Sequence, residues 1–171
     1  MVNSWHALWT GLTEDLAETP DLQAIGRLAV RLIMAALLGG LLGYDRERKG
    51  KKAGFRTHML VSLGAALFVS IVQGLGGDSA DISRVIQGVV VGIGFLGAGS
   101  IVKHQDTDDI HGLTTAAGIW FTSAVGLAAG NGRLVAAAMG TILALIIFVA
   151  LAPIERWIHR HEKQAPSDRG K

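Results

Sequence analysis

Apolar and charged positions along this chain are segregated into blocks. No Asp, Glu, Lys or Arg occurs between Thr57 and Gly77, between Val85 and Val102, between Gly112 and Asn131, or between Leu134 and Ile154. A helix needs about 20 apolar residues to cross the hydrocarbon core of a bilayer, and each of these windows is long enough. They predict transmembrane helices over about 57–76, 85–103, 112–130 and 134–152. A further span is expected over 22–44. Only Leu32 to Tyr44 is free of charge there, which is too short, so this helix has to take in Arg27 and Arg31. The expected fold class is therefore all-α, a polytopic transmembrane helical bundle of about five spans with a short N-terminal interfacial segment. Residues 1–21 form that segment, 22–153 the membrane domain and 154–171 a tail.

Composition agrees with this pattern. Half of the 171 residues are hydrophobic, 18% are charged, and the mean hydropathy is +0.40. Trp5 and Trp9, four apart, suggest a short helix at the membrane interface. The segment around them has no basic start and no long apolar core, so a cleavable signal peptide is not expected. The residues after Pro153 read as a second interfacial helix, with Trp157 at the headgroups and a frayed end. The absence of cysteine removes disulfides, thiolate catalysis and cysteine metal sites.

The basic residues orient the bundle. Arg46, Arg48, Lys49, Lys51, Lys52 and Arg56 crowd the connection between the first two spans, and Arg156, Arg160, Lys163, Arg169 and Lys171 lie in the tail. Residues 1–21 and the connection Gly77 to Ser83 contain no Lys or Arg. The positive-inside rule then places the N-terminus outside and the C-terminus in the cytoplasm.

Gly92, Gly94 and Gly97 have the G-x-G-x-x-G spacing of a pyrophosphate-binding loop. Such a loop follows a strand, opens a helix and precedes an acidic residue about 20 positions on. Here the glycines sit in the middle of the run Val85 to Val102, where a bound pyrophosphate would carry its charge into hydrocarbon. They read better as packing devices. Gly88xxxGly92 and Gly94xxxAla98 place small residues one turn apart, where two helix backbones approach closely, with Gly97 and Gly99 continuing the run. Gly39xxxGly43, Gly126xxxGly130 and Ala136xxxGly140xxxAla144 repeat the device.

Candidate chemistry is sought among ionisable groups in or near the membrane, where a charge is costly. Arg27 and Arg31 are one turn apart. Two readings of Arg31 stand open: it snorkels to outer-leaflet phosphates, or it points into the bundle and pairs with Asp78, Asp81 or helix-end carbonyls. No Asp or Glu lies inside any of the five spans. A path for a divalent cation uses carboxylates or ordered carbonyls and waters, so a magnesium transporter finds little support beyond a carbonyl-lined route through the glycine-rich third span.

The carboxylates cluster on the cytoplasmic side instead. Asp45 and Glu47 follow the first span, and Asp106, Asp108 and Asp109 lie between the third and fourth. If those loops meet, they offer oxygen ligands for Mg2+; the alternative is that Asp45 pairs with Arg46 or Arg56 and the aspartates are solvated. His104 and His111 flank the aspartates without a third close ligand for a transition metal. Thr114 and Thr115 fall at the start of the fourth span, as helix caps or interhelical hydrogen-bonding groups, and Trp120 lies within it. No nucleophile, base and orienting group form a set, so no enzyme is expected. The basic connection 46–56 suits anionic lipid as well as topology.

Four motifs occur in order: Arg31 to Glu47 (RLIMAALLGGLLGYDRE), Ala53 to His58 (AGFRTH), Gly92 to Ile101 (GIGFLGAGSI) and His111 to Ala117 (HGLTTAA) followed by Trp120. In content and spacing they resemble the MgtC/SapB family of bacterial inner-membrane proteins, over roughly Leu28 to Pro153. The resemblance implies a multi-pass, non-enzymatic regulatory protein linked to magnesium homeostasis and growth at low magnesium, virulence-associated in intracellular pathogens. Its implied partners are membrane lipids, further copies of itself as a homo-oligomer, and membrane proteins such as ATP synthase or a transporter, with no nucleic acid. Longer members carry an ACT-like domain after the last span, some have Asn at the place of Thr114, and they have cysteines; the present chain is expected nearer the short SapB-type branch. By motif position Arg31, Asp45, Arg46, Glu47, Arg56, Thr57, Thr114, Thr115 and Trp120 become candidate functional or partner-binding residues. Gly39, Gly43, Gly88, Gly92, Gly94, Gly97 and Gly99 become candidate packing positions.

Overall fold

The computed structural model describes residues 5–6, 9–10, 21–103 and 110–151. Among these the helices are α1 (Leu22–Arg48), α2 (Phe55–Gly74), α3 (Ser79–Ala98), α4 (Leu113–Gly130) and α5 (Leu134–Ala150). Two short strands, β1 (Val102–Lys103) and β2 (Ile110–His111), pair antiparallel between α3 and α4, with Val102 opposite His111. The all-α membrane bundle holds: α1 to α4 are long and apolar enough to cross a membrane, and α5 is shorter at 17 residues. The chain divides into two compact units, Met1–Val30 and Arg31–Lys171. In the first, Trp5, His6, Trp9 and Thr10 are helical, and the Thr10 hydroxyl donates to the His6 carbonyl at 2.7 Å. The expected helix around Trp157 lies outside the described residues.

Element ends differ from the charge-free windows because polar residues set them. The third helix starts at Ser79, six residues before the apolar run. The Asp78 carboxylate accepts the N–H groups of Ala80 (2.8 Å) and Asp81 (2.9 Å), and Asp81 in return accepts the N–H of Asp78 at 3.2 Å. This reciprocal box satisfies donors that a helix start leaves open. At the other end α3 stops at Ala98 instead of 103, and the Ser100 hydroxyl donates to the Gly97 carbonyl at 2.7 Å. Helix α1 runs past Tyr44 to Arg48, so Asp45, Arg46 and Glu47 are helical residues whose side chains point in different directions.

The core of the second unit is built on α4, which packs most extensively on α2, then on α3 and α5. A Cβ on Gly126 would collide with the backbone of Ser62, and one on Gly130 with the backbone of Ala66. On the other flank of α2, a Cβ on Gly39 would lie 2.6 Å from the His58 carbonyl oxygen and 2.6 Å from Ser62 Cβ; one on Gly43 would lie 2.8 Å from the Gly54 carbonyl oxygen. Ser62 is thus pinched between a glycine of α1 and a glycine of α4. Ala35, Leu38, Leu42, Ala66, Val125, Ala129, Ala137 and Ala144 fill the remaining core, in which five alanines keep the helices close.

Two packing expectations need correction. On α5 the buried stripe is Ala137, Thr141 and Ala144, while Ala136 is exposed and Gly140 half-buried. The Thr141 hydroxyl donates to the Ala137 carbonyl at 2.9 Å, which lets a polar residue enter the core. On α3, Gly88, Gly92 and Gly94 pack against none of the described residues: a Cβ on any of them would meet no described atom within 4 Å. A Cβ on Gly97 would come only into ordinary contact with Ala116, 3.6 Å from its carbonyl oxygen, and one on Gly99 would meet only carbonyls of its own helix end. Within its apolar window α3 is 6% buried, against 56% for α4.

Candidate functional site

Antiparallel packing gathers the polar residues at the two ends of the bundle. One end holds the last turn of α1, the start of α2, the β1–β2 pair and the start of α4, and it is rich in basic residues. Asp45 binds Lys49 one turn on, at 2.9 Å, and Lys49 also donates to the Phe148 carbonyl at 2.6 Å, so Asp45 pairs with neither Arg46 nor Arg56. Arg46 is buried, and its guanidinium carbon sits 4.5 Å from the centre of the Phe148 ring, within cation–π range. Glu47 turns the other way. Its Oε2 accepts the N–H of Phe55 at 2.7 Å, supplying the cap that Gly54 lacks a side chain to give. Arg56 is exposed and Thr57 half-buried.

At the same end a cleft of about 170 Å³ opens between the turn after α1 and the start of α4. Arg46, Lys51, Lys52, Thr114 and Thr115 line it. Thr115 is buried, whereas Thr114 is exposed. Trp120, two turns along α4, lies 47% exposed on the bundle surface. Of the proposed Mg2+ ligands, Asp45 is engaged with Lys49 and Glu47 with Phe55. Asp106, Asp108 and Asp109, like His104, lie outside the described residues. Among the described residues no three of His, Cys, Asp and Glu gather as a metal site.

The opposite end is organised by Arg31. Its Nη1 donates to Gln73 Oε1 at 2.6 Å and to the Gly130 carbonyl at 3.2 Å. Gln73 donates onward to Asn131 Oδ1, and the Ser70 hydroxyl reaches the same Gly130 carbonyl at 3.3 Å. The guanidinium therefore rests on the C-terminal end of α4, where the helix dipole is negative, and donates to neither Asp78 nor Asp81. Asp78 caps α3, and Asp81 pairs with Arg84 at 2.8 Å. Gly132, with φ +77, leaves room for the guanidinium, because a Cβ there would lie 2.8 Å from Arg31 Nη2.

Sequence reasoning passed over the polar interior between these ends. His58 and Ser62, one turn apart on α2, are fully buried. The His58 Nδ1 pairs with the Gly54 carbonyl at 2.9 Å and so carries the proton. His58 Nε2 and Ser62 Oγ have no hydrogen-bond partner among the described residues. The available signal was a lone histidine inside an apolar span, missed because histidine was left out of the charge pattern. A second feature left unread is an apolar groove of about 510 Å³ between α2 and α3, lined by Gly64, Phe68, Gly88 and Gly92, with Ser123 of α4 among its walls.

Comparison with known proteins connects these features to a family. The MgtC family profile matches residues 32–157. The protein SrpB of Synechococcus elongatus is 38% identical over 146 residues, covering 78% of this chain and 80% of SrpB. The Escherichia coli K12 protein bearing the name "Putative magnesium transporter YhiD" is 41% identical over 126 residues, 69% of this chain and 57% of that one. Protein MgtC of Brucella abortus is 41% identical over 130 residues, 76% of this chain and 53% of its own length. The chain thus spans little more than half of the latter two relatives. No solved structure matches it.

Proposed function

Given that the chain belongs to the MgtC family, as its motifs led us to expect, we propose that it is a non-enzymatic regulatory membrane protein of magnesium homeostasis, acting through helix contacts with membrane partners or with further copies of itself. The observation that carries this reading is the state of α3. It brings three glycines to a surface that no described residue covers, beside the apolar groove shared with α2. Glycine weakens a helix unless close approach uses it, and an approaching helix of a partner or of a second copy would use it here. The charge-free windows contain no carboxylate, and the Arg31 guanidinium stands at one end of the bundle, where it opposes entry of a cation. In this reading the basic end faces the cytoplasm of a bacterial inner membrane.

The second reading, a small magnesium or cation transporter, is favoured by the name that YhiD carries. Flux separates the two. Purified protein in liposomes is assayed for Mg2+ uptake beside Arg31→Ala, Gly94→Leu and empty vesicles. The regulatory reading expects wild-type uptake equal to empty vesicles; uptake that Gly94→Leu abolishes would establish transport and overturn it.

A further inference from the structure

We propose that the cleft at the basic end of the bundle is a binding site for a phosphate-type oxyanion, either a lipid headgroup phosphate or free phosphate. The proposal goes beyond the regulatory reading and does not rest on it. Its floor is the N-terminus of α4, an 18-residue helix whose first N–H groups point out of the helix end. Gly112, the residue before that helix, has φ +98 and no side chain to cap them. A Cβ at Gly112 would run into the backbone of Ser100, so the position has no room for a capping side chain. Uncapped N–H groups at the positive end of a helix dipole favour an anion.

A helix end alone does not make a site, and here a second, independent feature points the same way. Thr115 is 5% exposed and lines the cleft. Its hydroxyl makes no hydrogen bond among the described residues, although Thr122 and Thr141, equally buried, both bond to the carbonyl four residues before. The side chain is otherwise buried while its hydroxyl oxygen stays accessible from the cleft, so it is held in place and free to donate to a ligand there. Lys51 and Lys52 also line the cleft, exposed, and the described lining contains no carboxylate. A tetrahedral oxyanion there would accept from the α4 N–H groups and the Thr115 hydroxyl while the two lysines balance its charge. Arg46 also lines the cleft, with its guanidinium stacked on the Phe148 ring.

The test uses the full chain in maltoside micelles, which contain no phosphate, at low salt and neutral pH. Binding of radiolabelled inorganic phosphate is followed by scintillation proximity. Wild type is expected to bind saturably. Thr115→Val, and separately the pair Lys51→Gln with Lys52→Gln, should each weaken binding at least about tenfold, since each removes charge-assisted contacts to the anion. Arg133→Gln, which removes a like charge from the opposite end, should leave binding unchanged. Melting temperatures confirm that each variant is folded, and the surface lysine pair decides the matter if Thr115→Val does not fold. Phosphatidylglycerol added to the micelles identifies the source: displacement of phosphate assigns the site to a lipid headgroup, and undisturbed binding assigns it to free phosphate. Absence of saturable binding, or equal affinity in wild type and both variants, overturns the proposal. So does binding that emerges only after Asp106→Asn, Asp108→Asn and Asp109→Asn, because the cleft would then belong to the chain's own carboxylates.

Discussion

The α2–α4 seam and the outer face of α3 are written with the same device, small residues four apart, and the molecule treats them in opposite ways. At the seam, Gly126 and Gly130 lie directly on the backbones of Ser62 and Ala66. On α3, Gly88 and Gly92 border an open groove, and Phe95 nearby is 87% exposed. The contrast shows that a small-residue pair says a backbone will come close without saying whose. At the seam the backbone belongs to the same chain, and its loss is a loss of fold. On α3 no described residue supplies it, so under the proposed function alteration there acts on association and leaves the fold in place.

Substitutions at the two surfaces separate these roles. Gly126→Leu should have the largest effect, because the added side chain meets backbone that cannot move aside; overpacking of this kind costs about 3 kcal/mol or more, and thermal unfolding in detergent should show little folded protein. Gly39→Ala adds one methyl against the His58 carbonyl and Ser62 Cβ, so we expect a loss of about 1–3 kcal/mol, read as a lower melting temperature. Gly92→Leu should melt like wild type yet fail to support growth at low magnesium and fail to retain its membrane partners on co-purification; normal growth would remove α3 from the functional surface. The smallest shift belongs to Gly88→Ala, which meets nothing and gains about 0.5–1 kcal/mol of helix preference. A marked destabilisation by Gly88→Ala would mean that the open face is packed after all, and the comparison would collapse.

The pattern of charges made the spans legible, because a bilayer-crossing helix cannot hide a long apolar run. Their ends were less legible. The window rule discards polar residues, and it is a polar pair, Asp78 and Asp81, that starts α3 six residues early. The family was legible from motif order. The geometry within those motifs was not: Asp45, Arg46 and Glu47 are adjacent in sequence, yet a helix turns them about 100° apart, and they meet Lys49, Phe148 and Phe55 respectively. Arg31 could be placed at one end of the bundle, but its choice of the Gly130 carbonyl over two aspartates depends on where α4 stops, a long-range matter. The buried His58 and Ser62 left a signal that a count of Asp, Glu, Lys and Arg could not register.

The pinching of Ser62 between Gly39 and Gly126 has a consequence for how the protein is made. Helix α1 precedes α2 out of the ribosome, so one flank of Ser62 can be covered as soon as α2 enters the membrane. The other flank waits for α4, some sixty residues later. At roughly 5–20 residues per second that delay lasts several seconds. Throughout it, the buried imidazole of His58 and the hydroxyl of Ser62 face either lipid or the insertion machinery. Nascent chains arrested before and after α4 emerges should therefore differ in how readily a reagent reaches this face of α2, which makes the arrival of the fourth helix the step that covers it.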